Sequence, residues 1–342
     1  MALINLQYLR AIAALMVVWV HAREQFEWIK IQFPAEGGNN GVDLFFVISG
    51  FIMVYTTHNK TVTPLAFLTR RFIRVAPLYW ASTLLIVAIA LTAPSVLKST
   101  IISFPHVVAS FAFWPMPSPK FPDNMWPLLV PGWTLNYEMA FYVIFGASLW
   151  APKKWRLALL CTGMIALACA GAINNFTGAL KFYTDAIILT FVIGALLGQL
   201  YCTGRLPQSK LVGWILILSG VSIWWITQSI PMGHRLFGAG IPASLVLAGA
   251  CILPSIRNTR LNWLKNLGDA SYSIYLCHIF MLAILRYLWS KIGTENTSQS
   301  HGYLFMTLSI TLSSIIGLLI SKYIEKGLFT AISRKQSFPK NT

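Results

Sequence analysis

Long apolar runs, broken by short polar or Pro- and Gly-containing stretches, recur along the whole chain. Most approach the roughly 20 residues that carry an α-helix across a bilayer. The pattern predicts ten helices, over residues 5–23, 42–57, 77–93, 133–150, 156–173, 182–201, 211–228, 237–255, 270–288 and 303–323. The predicted fold class is all-α: a polytopic membrane helical bundle over residues 1–323, followed by a basic tail at 324–342. No internal repeat or soluble domain stands out. A cleavable leader is not expected, because Arg10 interrupts the first run and no small-residue cleavage site follows it.

Residues 94–132 interrupt the pattern. This connection holds eight of the 17 prolines and an apolar piece from Ile101 to Trp114. At about 14 residues, and containing Pro105 and His106, that piece suits an interfacial or re-entrant element better than a span. Connections this long are often functional, and Trp114, Trp126 and Trp133 suit an anchor in the headgroup layer.

Composition agrees with a membrane chain. Apolar residues make up 56% and charged residues 11%, against roughly 45–50% and about 25% in ordinary globular domains. Soluble enzymes, secreted disulfide scaffolds and disordered tails are excluded. The net charge of +16 would fit nucleic acid only if Lys and Arg gathered on one soluble face. Here they punctuate the apolar runs, so no nucleic-acid partner is expected. With the N-terminus in the cytoplasm, 17 of the 26 Lys and Arg fall in inner loops or the tail and eight outside, with Arg10 inside the first helix. Basic residues accumulate in cytoplasmic loops, so both termini are placed there. The five cysteines lack metal-ligand spacing and read as small apolar residues, and no metal is expected.

Ionisable groups inside a hydrocarbon span are functional candidates by default. They are Arg10 and His21 in the first helix, Asp43 at the start of the second, Glu138 in the fourth, Asp185 in the sixth and His278 in the ninth. Arg10 and His21 are eleven residues apart, close to three turns, which puts them on one face about 16 Å apart. Glu138 lies roughly 7 Å below the outer start of its helix, at the depth expected for His21. A carboxylate that orients a neutral imidazole is an arrangement used in general-base catalysis. A structural His–Glu pair tying two helices together is an equal alternative. Asp43 stands at the same level, as a ligand or as a helix cap. Asp185 and His278 have weaker claims, as polar glue or cavity lining.

A cationic cluster lies on the other side. In Thr69-Arg-Arg-Phe-Ile-Arg-Val-Ala-Pro77, helical spacing gathers Arg70, Arg71 and Arg74 on one face. Guanidinium forks suit a phosphorylated cytoplasmic ligand; positive-inside topology or lipid headgroups would also account for them.

Five stretches together resemble the acyltransferase 3 family of bacterial membrane O-acyltransferases. They are Leu6-Gln-Tyr-Leu-Arg-Ala-Ile-Ala-Ala-Leu15 with His21, Gly41-Val-Asp-Leu-Phe-Phe-Val-Ile-Ser-Gly-Phe51, Arg70-Arg-Phe-Ile-Arg74 before Pro77, Gly132-Trp-Thr-Leu-Asn-Tyr-Glu-Met-Ala-Phe-Tyr142, and Ser271-Tyr-Ser-Ile-Tyr-Leu-Cys-His278. Residues 156–255 match only as hydrophobic helices. The resemblance implies an enzyme of the bacterial inner membrane that moves an acyl group, foremost acetyl, from cytoplasmic acetyl-CoA or another acyl-CoA to a sugar hydroxyl at the outer face. It maps the family's essential Arg and His onto Arg10 and His21, its Arg-x-x-Arg onto Arg71 and Arg74, and its Glu onto Glu138. Some members carry a second, esterase-like domain; this chain is expected to work without one, like the stand-alone acetyltransferases of exopolysaccharide or O-antigen sugars.

In the resulting expectation, CoA phosphates dock on Arg71 and Arg74, aided by Arg70, and the pantetheine arm passes Arg10. His21 deprotonates the sugar hydroxyl, with Glu138 orienting its ring; direct transfer and an acetyl-His intermediate both remain open. Asp43, Trp133 and Tyr137 form the acceptor-binding set, with an interfacial belt an equal reading for Trp133. The competing class is a secondary transporter or flippase whose buried Arg, His and Glu form a relay. It predicts repeated halves and broken helices.

Overall fold

The computed structural model describes residues 4–33, 40–93, 100–227, 234–255, 259–291, 298–325 and 327. Among them the regular structure is entirely helical. The first helices are α1 (Ile4–Arg23), α2 (Glu27–Gln32), α3 (Asn40–Thr57), α4 (Pro64–Thr92), α5 (Phe104–Phe111), α6 (Trp133–Ser148) and α7 (Lys153–Ile173). They are followed by α8 (Gly178–Tyr183), α9 (Leu189–Cys202), α10 (Lys210–Thr227), α11 (Ile241–Ile252), α12 (Asn262–Asp269), α13 (Ser271–Lys291) and α14 (Gln299–Ile320). Each of the ten expected segments overlaps at least one of these. Eight helices among the described residues are long and apolar enough to cross a membrane; α6 and the segment Leu236–Ile252 are shorter. The chain is thus an all-α polytopic membrane bundle. The basic tail from 328 onward and residues 94–99 lie outside the described residues.

α1 is the axis of the bundle, packed against α3, α11, α12, α13 and α14. Ala11, Ala13, Ala14 and Ala22 are fully buried along it, and such small side chains let membrane helices approach closely. α3 is the most enclosed of the long helices, with 72% of its span buried against 50% for α1 and 11% for the peripheral α10. It crosses α9 at backbone contact, where a Cβ on Gly50 would collide with the Phe191 carbonyl and one on Gly194 with the Val47 carbonyl. Phe191 fills the space beside this crossing, stacked between Phe46 and Phe141 at 4.5 Å from each ring.

Several boundaries differ from expectation. α4 begins at Pro64 rather than 77, and Pro77 lies inside it. Pro64 occupies the first turn, where its missing N–H is no loss, and the Thr63 hydroxyl caps the helix by accepting from the Ala66 amide at 3.3 Å. The segment expected at 182–201 is divided into α8, a 3-10 turn at Ala186–Ile188 and α9. Asp185 therefore sits at a helix entrance within the candidate span Gly178–Cys202, accepting from the Ile187 amide at 2.8 Å, instead of along a continuous helix. Within the Pro-rich connection, α5 has eight residues, about 12 Å of helix and too short to cross. The short helices α2 and α12 were not foreseen.

Candidate functional site

The Thr63 cap starts α4 ahead of its arginines, so all three lie on one helix. Arg71 and Arg74 turn inward, where with Arg10 of α1 they line a cavity of about 170 Å3. Arg70 faces out, its Nε donating to the Ala66 carbonyl at 3.1 Å, and does not join them. Arg71 donates to the Thr56 hydroxyl at 3.4 Å and lies over the Phe67 ring, yet its buried Nε has no partner among the described residues. Arg74 is held by Glu325, whose second oxygen accepts from the Ser273 hydroxyl. Glu325 is buried in a π-helical turn that prolongs α14.

From this end the cavity continues along α3, α6 and α13, past Ser49, Glu138, Tyr142 and Tyr272 to Thr134 and Tyr275. Glu138 accepts from the Ser49 hydroxyl at 2.8 Å and from the Tyr142 hydroxyl at 2.5 Å. It does not meet His21. The expected His21–Glu138 pair is corrected here: a ruler along each helix fixes height but not the face a side chain takes, and Glu138 faces α3. At the far end of the cavity, the Tyr275 hydroxyl donates to the Pro131 carbonyl at 2.8 Å and lies 2.8 Å from the Thr134 hydroxyl.

His21 stands beyond Tyr275, outside the cavity lining. Its carboxylate partner is Glu24, three residues on, with Nδ1 and Oε2 3.1 Å apart. Burial pushes the Glu24 carboxyl up, but the hydrogen bond and charge of His21, with Arg23 and Lys30, outweigh it and leave the carboxyl below its ordinary value. His278 stacks on His21, with ring centroids 5.3 Å apart and planes 24° from parallel. The Tyr275 ring lies 6.0 Å from His278. Arginines, tyrosine and two histidines thus follow one another along the bundle.

The residues assigned to the acceptor gather at the histidine end but differ in character. Asp43 is fully buried and gripped by Arg235, whose Nε and NH2 approach Oδ2 at 3.0 and 2.7 Å. It is neither a free ligand nor a plain helix cap. Arg235 also lies over the Trp133 ring at 5.5 Å. Tyr137 is buried, its ring stacked on Phe182 at 3.9 Å. Trp133 remains partly exposed beside the half-exposed Asp185–His234 pair. Chemically, the arrangement offers an anion site at one end and, at the other, an imidazole oriented by a carboxylate and backed by a second imidazole. Sequence reasoning missed Glu24, Arg235 and Glu325. Only Glu24 left a signal, the three-residue spacing that brings side chains together at a helix end.

A family model described as an acyltransferase domain matches residues 3–320. The chain is 37% identical to the exopolysaccharide production protein ExoZ of Rhizobium meliloti (strain 1021), across 85% of this chain and 89% of that one. It is 24% identical to the acyltransferase MdmB of Streptomyces mycarofaciens, across 87% and 83% of the two chains. Over 43% of this chain, and 24% of that one, it is 30% identical to the peptidoglycan O-acetyltransferase OatA of Listeria monocytogenes. No solved structure matches.

Proposed function

Because the chain belongs to the acyltransferase 3 family, we propose that it transfers an acetyl group from acetyl-CoA, held at the arginine end, to a hydroxyl of an exopolysaccharide or other surface glycan at the histidine end. It is a membrane O-acyltransferase, and family membership decides between a transferase and a carrier. The observation that carries the finer reading is the cavity that begins at Arg10, Arg71 and Arg74 and stops at Tyr275, in ring contact with His278 and through it with His21. The buried, orphaned Nε of half-buried Arg71 fits an anionic ligand that completes it. The relatives' names, exopolysaccharide production protein and peptidoglycan O-acetyltransferase, support a glycan acceptor and an acetyl group. The balance of basic loops supports a cytoplasmic arginine end in the bacterial inner membrane.

In this reading Arg71 and Arg74 hold the CoA phosphates, and the cavity admits the thin arm that carries the thioester. Glu24 accepts from Nδ1–H of His21, which leaves Nε2 free to take the proton of the sugar hydroxyl. The hydroxyl oxygen attacks the thioester carbonyl, the carbon–sulfur bond breaks, and the CoA thiolate leaves and recovers the proton from His21 or solvent. Glu138 serves the donor passage rather than the imidazole. The test is label transfer from radiolabelled acetyl-CoA to glycan by the purified protein; flux of glycan without covalent change would overturn the reading.

A further inference from the structure

The reading above uses His21 and leaves the second imidazole unused. His278 is fully buried on α13. Its Nδ1 lies 2.7 Å from the Tyr275 carbonyl oxygen. A carbonyl only accepts, so Nδ1 carries the hydrogen and Nε2 holds a lone pair. That nitrogen has no partner among the described residues. An unsatisfied buried acceptor is a standing penalty in a folded protein, relieved where a ligand or water completes it. His21 does not complete it, because near-parallel rings face one another and neither directs an in-plane N–H at the other's nitrogen. The nearby carboxylates are engaged elsewhere, Glu24 with Nδ1 of His21 and Glu138 with Ser49 and Tyr142.

Position decides which reactant His278 would meet. Tyr275, one turn earlier, lines the far end of the cavity, and its ring touches that of His278. His278 therefore stands between the cavity and His21, whose side chain is 30% exposed. Neither imidazole lines the cavity itself; from its far end, Tyr275 leads to His278 and His278 to His21. A molecule arriving from the surface reaches His21 first.

We propose that Nε2 of His278 binds the donor, accepting the N–H of the amide nearest the sulfur in the pantetheine arm. This rests on the acyl-CoA reading and adds a subsite to it. Two methylenes separate that nitrogen from the sulfur, so it lies about 5 Å from the thioester carbonyl carbon by ordinary bond lengths. The two imidazoles are 5.3 Å apart. An arm anchored at His278 thus presents its reacting carbon beside His21, where the hydroxyl loses its proton. Nothing is transferred to His278; the carbon–sulfur bond breaks on attack by the hydroxyl oxygen, as before.

The test compares acetyl-CoA with an analogue in which the amide nitrogen next to the two-carbon thiol unit is replaced by oxygen, keeping length but removing the N–H. Initial rates are measured with the full-length protein in vesicles and a glycan acceptor. Wild type is expected to use the analogue about tenfold less efficiently, the size of one lost hydrogen bond. His278→Phe keeps a stacking ring and loses the acceptor; its kcat/KM for acetyl-CoA falls about tenfold, and it no longer distinguishes the two donors. His278→Gln keeps an oxygen near the position of Nε2 and recovers both rate and discrimination, with the glycan KM unchanged throughout. Equal use of both donors by wild type overturns the assignment and needs no variant to fold. So does wild-type behaviour of His278→Phe, or a raised glycan KM with donor preference intact, which would give Nε2 to the acceptor. If wild type moves no label from acetyl-CoA to glycan, the acyl-CoA reading fails and this subsite fails with it.

Discussion

His21 is useful as a base only while one of its nitrogens is committed elsewhere. Glu24 supplies that commitment at 3.1 Å, and replacing His21 with Ala is expected to abolish glycan acetylation while the protein still inserts, as followed by label transfer and membrane fractionation. Glu24 also carries a pH signature. Its carboxyl lies below the ordinary value, so its contribution is fully present above that value and is lost as pH falls through the depressed one. Glu24→Gln should flatten the acid limb of thermal stability measured against pH. At this scale the sequence was legible where the geometry is local. Turn counting places Arg10 and His21 on one continuous helix, whereas Asp43 reads as a ligand or a helix cap because nothing nearby announces Arg235, which is 192 positions away. Glu138 was assigned the wrong partner because counting residues gives its depth, whereas the neighbour its face meets is set by how the helices pack.

Among the elements, α4 carries most of the proposed donor end. Thr63→Ala removes the cap of its first turn and should cost about 1 kcal/mol, read as a lower melting temperature. Arg71→Ala should chiefly raise the KM for acetyl-CoA, since Arg71 makes one long hydrogen bond and a ring contact. Arg74→Ala should do this and also destabilise the protein by about 3–5 kcal/mol, because it leaves the buried Glu325 without its cation; parallel Michaelis and thermal-melt measurements separate the two. The start of α4 was misread for a physical reason. Its first turns are apolar, but Arg70, Arg71 and Arg74 interrupt them, so a span read from hydropathy starts only at Pro77, and a proline after a basic stretch imitates a start. The α3–α9 crossing was invisible too, since Gly50 and Gly194 show their purpose only beside a partner backbone.

For the whole molecule, the apolar segments were legible because a bilayer demands length, and length survives in a single sequence; eight of the ten correspond to helices long and apolar enough to cross. How the helices gather was not legible, since most faces of a membrane helix are apolar whether they meet lipid or protein. The proposed sidedness makes a direct prediction: in a protein lacking its native cysteines, Arg70→Cys should react with a membrane-impermeant thiol reagent only in inside-out vesicles, and His234→Cys only in right-side-out ones. The reverse pattern would turn the proposed reaction around. One further consequence follows from the pair formed by Arg74 and Glu325, 251 positions apart. The carboxylate that steadies the guanidinium belongs to the last turn of the final described helix, so it cannot be supplied until nearly all of the bundle has left the ribosome and entered the bilayer. A nascent chain with only its early helices inserted has the cation without its clamp, which delays completion of the thioester pocket until the path to the opposite face has been built.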